Sequence, residues 1–169
     1  MNRRREPRGQ AIVEFAVTFP IFILLLISLF DLGHVVWINS AQSNAAREGV
    51  RLAIVHGGSD STACPMGPPG PQTIIPSPSV SCPYPSPSKQ AIKDEVSQWL
   101  IGVGGTTTVS VCYGDVTTCS GDVDYPGATN VRGSKVTVTV TTTTGLAAPS
   151  LLGLGDFTLS ATSTMLVNH

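Results

Sequence analysis

The sequence predicts an α+β protein in which a long N-terminal transmembrane helix continues into a small domain with a three-stranded antiparallel sheet and a short second helix. An apolar run without charged residues at 15–30 is typical of a membrane-spanning helix. Apolar residues then recur at three- and four-residue steps, which indicates an amphipathic helix. Three later segments alternate between apolar and polar residues, as strands with one buried face do.

The membrane segment follows from length and charge. The 15–30 run has the sequence FAVTFPIFILLLISLF, and Asp31 and His34 come directly after it. About 20 residues cross a bilayer core, so Asp31 and His34 are expected near one interface, with Trp37 as an interfacial anchor. Basic residues on the other side predict a cytoplasmic N-terminus: Arg3, Arg4, Arg5 and Arg8.

The helix is expected to extend over residues 10–57. Beyond the membrane run, its apolar stripe contains Val35, Ile38, Ala41, Ala45, Gly49 and Leu52. Polar residues lie between these positions, Gln42 among them. Gly57 and Gly58 provide a stop signal. Because such a stripe needs a protein partner, the C-terminal domain is expected to cover it.

Composition excludes some functions. Charged residues are only 12% of the chain, about half the share that is usual for a soluble domain. Residues 1–9 hold four of the ten basic residues and one of the eleven acidic ones, so the remainder carries a formal charge of −4. A nucleic-acid partner is not expected, because no basic face remains outside this N-terminal segment.

Two sequence blocks carry a family resemblance. The block Gly9-Gln10-Ala11-Ile12-Val13-Glu14-Phe15 resembles the processing site of type IV prepilins, in which cleavage follows the glycine and a glutamate stands five places later. The same block, extended to Arg8 and Ala16, resembles the start of TadE-like proteins of tight-adherence (Flp) pilus systems. The sequence NAAREGVR at 44–51 strengthens this resemblance.

The resemblance implies a pilin-like minor subunit with a structural role, no catalytic residues, no cofactor and no metal. Residues 1–9 would be a basic leader, cut from Gln10 by a prepilin peptidase. Glu14 and Phe15 would act in assembly, Glu14 by pairing with the N-terminal amine of a neighbouring subunit. The other implied partners are pilin and pilin-like subunits, the inner-membrane assembly platform and the lipid bilayer. The domain would lie outside the cytoplasm and support adhesion or secretion.

Three alternatives concern the N-terminus. It could be a cleaved secretory signal, although its apolar region is long and no Ala-x-Ala site follows. It could be an unprocessed signal anchor. Glu14 could be only an acid at the start of a helix, where it interacts well with the helix dipole. Neither signal explains a glutamate five residues after Gly9.

The remaining chain divides into a Pro-rich loop at 58–88 and a domain at 89–169. Ser88 is expected to cap a helix over 89–101 with Ile92, Val96 and Leu100 on one face. Strands are expected at 107–113, 134–143 and 157–167. Valines and, in the last strand, Phe157 would face the helix, which leaves the threonine faces in solvent.

Four cysteines follow the membrane segment, and an oxidising compartment would make them two disulfides: Cys64, Cys82, Cys112 and Cys119. Cys112 with Cys119 would close a short loop, and Cys64 with Cys82 would close the Pro-rich loop. Four cysteines allow three pairings, so the connectivity stays open. A zinc site is the alternative, but the chain has no Cys-x-x-Cys spacing.

The remaining polar residues indicate no enzyme. Asp115, Asp122 and Asp124 could bind Ca²⁺, but their place beside Gly114 and Gly121 favours turns. No nucleophile motif, Walker loop or His-Glu-x-x-His occurs. The second functional hypothesis is a membrane-anchored module that binds a partner through the Pro-rich loop or the sheet face.

Overall fold

The computed structural model describes residues 8–57, 64–68 and 88–168. It begins with a 48-residue helix, α1 (Arg8–Val55), which continues through Pro20 without a break. The following elements are α2 (Gln90–Gln98), β1 (Thr106–Tyr113), β2 (Lys135–Thr144), α3 (Ala147–Leu151) and β3 (Phe157–Leu166). The predicted fold class is confirmed, and each predicted strand agrees with the structure to within one residue at either end.

The second half of α1 forms one side of the domain core. Ile38, Ala45 and Gly49 are buried, as the predicted stripe requires. Ala46, Val50 and Ala53 are buried too, so the covered face is wider than the stripe. Two neighbours cover it, because both the sheet and α2 pack against α1.

Gln42 is an exception to the predicted alternation of buried apolar and exposed polar residues on α1. Its side chain is fully buried, although the sequence placed it among the polar positions between the apolar ones. Gln42 Nε2 donates to the backbone oxygen of Leu159 at 3.4 Å, which ties α1 to β3. Its Oε1 atom has no hydrogen-bond partner in the described part of the chain. Gln42 follows Ile38 by four residues, and this spacing places it on the buried face.

The second helix is shorter than predicted. It ends at Gln98, and residues 99–102 form turns. Ser88 lies one residue before the cap position, but its Oγ accepts a hydrogen bond from the Gln90 amide at 3.1 Å. The predicted face is confirmed, since Ile92, Val96 and Leu100 are buried against the core.

The sheet has the order β1-β2-β3 and is antiparallel throughout. Its inner face carries Val111, Val138 and Val140, which pack on α1 and α2. Toward the end that adjoins α3 this face turns polar, because Thr142 and Thr144 occupy the next inner positions and are buried. Thr142 and Thr107 share a 2.9 Å hydroxyl contact there. The threonines are therefore not confined to the solvent side.

The outer face is almost entirely hydroxylic. Four cross-strand hydroxyl pairs join β2 to β3 at oxygen separations of 2.9–3.4 Å: Thr137 with Thr164, Thr139 with Thr162, Thr141 with Ser160, and Thr143 with Thr158. Thr137 is buried, contrary to the prediction, because the Cys112–Cys119 loop covers it and brings Cys119 Sγ to 3.5 Å from the Thr137 oxygen. The other threonines of β2 on this face are partly exposed.

The free edge of β1 is covered by a segment without strand structure. Asp122 Oδ1 accepts from the Val111 amide at 2.8 Å, and Asp124 Oδ1 accepts from the Tyr113 amide at 2.7 Å. Lysines of the α2 region neutralise both acids, since Lys89 binds Asp124 at 2.6 Å and Lys93 binds Asp122. An edge strand with open amides can pair with other chains, and these carboxylates prevent that here.

Part of the predicted loop belongs to the core. Met66 is buried, its amide donates to the His56 oxygen at 2.8 Å, and its oxygen accepts from Asn130 Nδ2 at 2.9 Å. Gly67 has a φ of +102° and lies against the Tyr113 ring, where a Cβ would be 2.4 Å from a ring carbon. Burial raises the pKa of Tyr113 far above its usual value. The rest of the Pro-rich loop, 58–63 and 69–87, lies outside the described residues.

Candidate functional site

The first half of α1 is an uncovered apolar surface. Most of its large apolar side chains are between 38% and 77% exposed: Ile12, Val13, Phe15, Val17, Phe19, Ile21, Phe22, Leu24, Leu25, Leu29, Phe30 and Leu32. This helix is long and apolar enough to cross a membrane, and none of its most apolar stretch is buried within the chain. Such an exposed surface requires lipid or other helices around it.

The predicted processing and assembly residues lie together at the start of this helix. Gly9 and Gln10 are already helical, because α1 begins at Arg8. Gln10 Nε2 donates to Glu14 Oε1 at 3.1 Å, which is the only hydrogen bond to Glu14 in the described part of the chain. The Phe15 and Phe19 rings stack one turn apart, with centroids separated by 5.2 Å. Arg3, Arg4 and Arg5 lie outside the described residues.

The fold gives Gly9 no structural reason to be glycine. Its backbone is helical and has no positive φ, and a Cβ at this position would meet no atom within 4 Å. Glycine in a helix costs about 1 kcal/mol relative to alanine. Packing within the described residues therefore does not account for this glycine.

Asp31 has a function that the sequence did not reveal. Its two carboxylate oxygens accept hydrogen bonds from the amides of Ala147 and Ala148, at 3.2 and 2.6 Å. These amides are the first of α3, a short helix that no pattern in the sequence predicted. Asp31 was expected only to lie near the membrane interface. The contact spans 116 positions of sequence, so no local pattern indicates it.

His34 follows Asp31 by about one helical turn, and its ring centroid lies 6.0 Å from that of Trp37. The glycine loop after α2 passes beside them. A Cβ at Gly102 would lie 3.7 Å from the Trp37 ring, and one at Gly104 would lie 3.9 Å from His34 Nε2. This loop of the domain therefore contacts α1 at the level that the sequence predicts for the bilayer interface.

The helix that carries these residues coincides with a match to a protein family. Residues 9–51 match the TadE-like protein family. The resemblance stated from the sequence is thereby confirmed for this TadE-like segment, which contains Gly9, Glu14 and the covered half of α1. The C-terminal domain lies outside the match. No curated protein and no solved structure matches the chain.

The end of the TadE-like segment includes a glycine that packing does require. A Cβ at Gly49 would lie 2.4 Å from Val96 Cγ2, so only glycine permits the contact between α1 and α2 seen here. On the opposite side of the helix, Arg51 pairs with Glu48 at 3.1 Å in an exposed position. The NAAREGVR block thus combines a packing position with a solvent-facing ion pair.

The cysteine predictions are partly confirmed. Cys112 and Cys119 form a disulfide. Cys64 is disulfide-bonded as well, and its predicted partner, Cys82, lies outside the described residues. The Cys112–Cys119 loop forms one wall of a groove of about 310 Å³ over the outer sheet face, whose other wall contains Thr139, Ser160 and Thr162.

The three aspartates that could have bound Ca²⁺ do not converge. Asp115 pairs with Lys135 at the surface, whereas Asp122 and Asp124 bind lysines and backbone amides at the β1 edge. Within residues 8–57, 64–68 and 88–168, no group of three or more His, Cys, Asp or Glu side chains could hold a metal ion. In the described residues each of these aspartates therefore has a structural role, as a partner of lysines or backbone amides.

Proposed function

We propose that the chain is a pilin-like assembly subunit of a Tad/Flp pilus system, with the first half of α1 as its assembly surface. The observation that supports this most is the uncovered apolar half-helix within the TadE-like segment. Before assembly this surface contacts lipid, and afterwards it packs against the helices of pilin and other pilin-like subunits. The small domain folds on the remaining half and extends beyond the membrane.

The proposal includes a processing step at the Gly9–Gln10 bond. A prepilin peptidase removes residues 1–9, which frees the amine of Gln10. Since this bond lies in the first turn of α1, cleavage also requires local unwinding, which is easiest at a helix end. The mature helix then starts with Gln10 and has Glu14 on the next turn, and the assembly platform accepts it in this form.

Glu14 supplies the assembly contact. A carboxylate facing hydrocarbon costs about 3 kcal/mol unless it is paired, and Gln10 provides one neutral donor. Pairing with the N-terminal amine of a neighbouring subunit removes this cost. The Glu14→Ala variant should therefore weaken lateral association by about two orders of magnitude, if most of that energy comes from the pair.

Two measurements test the proposal. Mass spectrometry of the mature protein should find Gln10 at its N-terminus, and Gly9→Ala should slow cleavage while Gly33→Ala, at another open glycine of α1, does not. Crosslinking to co-expressed pilin should fall for Glu14→Ala and not for Glu48→Ala. An intact protein that still starts at Met1 in the presence of the peptidase would rule out the processing step.

A hydroxyl-lined groove supports a second candidate function, a binding module. Its walls are the Cys112–Cys119 loop and the threonine face. Replacing Thr139 and Thr162 by lysine would block it without touching α1. Loss of partner binding with intact pilus assembly would favour the module. Deleting the Pro-rich loop would test the module less clearly, because the deletion would also remove the core residue Met66.

A further inference from the structure

The loop between β2 and β3 carries an apolar rim at the end of the domain nearest the predicted membrane. The rim is defined here as Leu151, Leu152, Leu154 and Phe157, which are 67, 61, 57 and 45% exposed. Phe157 lies opposite Thr144 on the inner face of the sheet, as expected, but almost half of its side chain remains exposed. No charged residue occurs in the chain from Val136 to Gly155.

The rim lies beside residues 28–35 of α1. Leu152 and Leu154 share a surface groove with Ser28, Leu32 and Val35 of the long helix. The Asp31 carboxylate fixes this arrangement, because it accepts both first amides of α3. The rim is therefore continuous with the exposed apolar surface of the helix.

This level coincides with the edge of a bilayer. The uncharged run 15–30 covers about 24 Å at 1.5 Å per residue, whereas a bilayer core is about 30 Å thick. If the run is embedded, the core reaches to within one turn of His34. The residues of α1 that face the rim then lie in the outermost acyl layer or at the headgroups.

The hydrogen bonds to the Asp31 carboxylate lower the free-energy cost of placing this residue at the membrane edge. An ionised side chain at a membrane edge is costly unless its oxygens are hydrogen-bonded, and the two amides of α3 provide those bonds. Asp156 follows the leucines and is exposed, which limits insertion to the interface.

We propose that the rim is a second membrane contact: Leu151, Leu152, Leu154 and Phe157 insert into the outer interface of the bilayer that α1 spans. The proposal rests on the membrane position of α1 in the proposed function. The occupant is lipid, because the rim continues the surface that contacts lipid along the helix. The inserted rim orients the domain, so that its long axis and the outer sheet face keep a fixed angle to the membrane.

Quenching of tryptophan fluorescence by brominated lipids tests the rim in the full chain, reconstituted in liposomes. The background protein carries Trp37→Phe and Trp99→Phe. Three single variants are compared in it: Leu152→Trp in the rim, Phe22→Trp in the apolar run and Thr162→Trp on the outer sheet face. Lipids are brominated either near the headgroup or near the end of the acyl chain.

We expect shallow bromines to quench most of the Leu152→Trp emission, and deep bromines to quench Phe22→Trp. Thr162→Trp should be quenched by neither, and adding Asp31→Ala should reduce quenching of Leu152→Trp. An unquenched Leu152→Trp beside a quenched Phe22→Trp would overturn the rim and leave the membrane helix intact. If Phe22→Trp were also unquenched, the membrane position itself would be wrong. If the Leu152→Trp emission changed with the protein-to-lipid ratio and not with bromination of the lipid, the rim would instead contact a second copy of the chain.

Discussion

Gly49 shows how one residue decides the contact between two helices. Its missing side chain leaves room for Val96, whose Cγ2 atom would lie only 2.4 Å from an added Cβ. Gly33 lies on the same helix with open space around it, and so does Gly9. Of the three glycines of α1, only the one at position 49 is required by packing among the described residues.

The Gly49→Ala variant should destabilise the domain. Overpacking costs about 1–3 kcal/mol, and the better helix propensity of alanine returns at most about 1 kcal/mol. The thermal unfolding midpoint of the full chain in detergent micelles should fall. Gly33→Ala is the matched control and should not lower it. Adding Val96→Ala should recover part of the loss due to Gly49→Ala, and strictly additive effects would contradict the contact.

At the scale of elements, the unpaired edge of β1 is closed by side chains instead of another strand. Asp122 and Asp124 alternate so that each accepts one backbone amide of β1, and α2 contributes a lysine to each acid. This arrangement connects the β1 edge of the sheet to the α2 region. It also explains why a loop rich in Gly and Asp follows a strongly alternating strand.

The Asp124→Ala variant should cost about 1–3 kcal/mol, because it leaves the Tyr113 amide without an acceptor and Lys89 without its ion pair. Asp115→Ala is the comparison, since it breaks only an exposed pair with Lys135 and should cost about 0–1 kcal/mol. Denaturant unfolding measures both. Equal losses for the two variants would show that the edge contact contributes nothing specific, and exchange of the Tyr113 amide should rise only for Asp124→Ala.

At the scale of the whole molecule, α1 belongs to two environments. Its first half exposes apolar side chains along its length, whereas its second half is covered by the sheet and α2. The second half supplies Ile38, Ala45, Ala46, Val50 and Ala53 to the core. The domain core therefore includes the second half of the helix, whereas the first half leaves an apolar surface long enough to cross a membrane.

Truncation should separate these two halves. A chain of residues 31–169 keeps the covered half of α1 and Asp31, and should fold cooperatively in water. A chain of residues 57–169 loses the covered half, and should lack a cooperative transition, because burial of a residue such as Ile38 or Val50 contributes about 1.5–3 kcal/mol toward a total of about 5–15. Circular dichroism during heating measures this. Similar transitions in both chains would mean that the sheet and α2 form a core without α1.

The sequence by itself determined the long helix, the second helix and the three strands, because each depends on a local period of about 3.6 or 2 residues. It also indicated the TadE-like segment, since Gly9 and Glu14 are close in the chain. Only the tertiary structure decided the bond from Asp31 to α3, the burial of Gln42 and the carboxylates on the β1 edge. These contacts join residues 11 to 117 positions apart, and their energies depend on burial and geometry that exist only after the helix and sheet have packed.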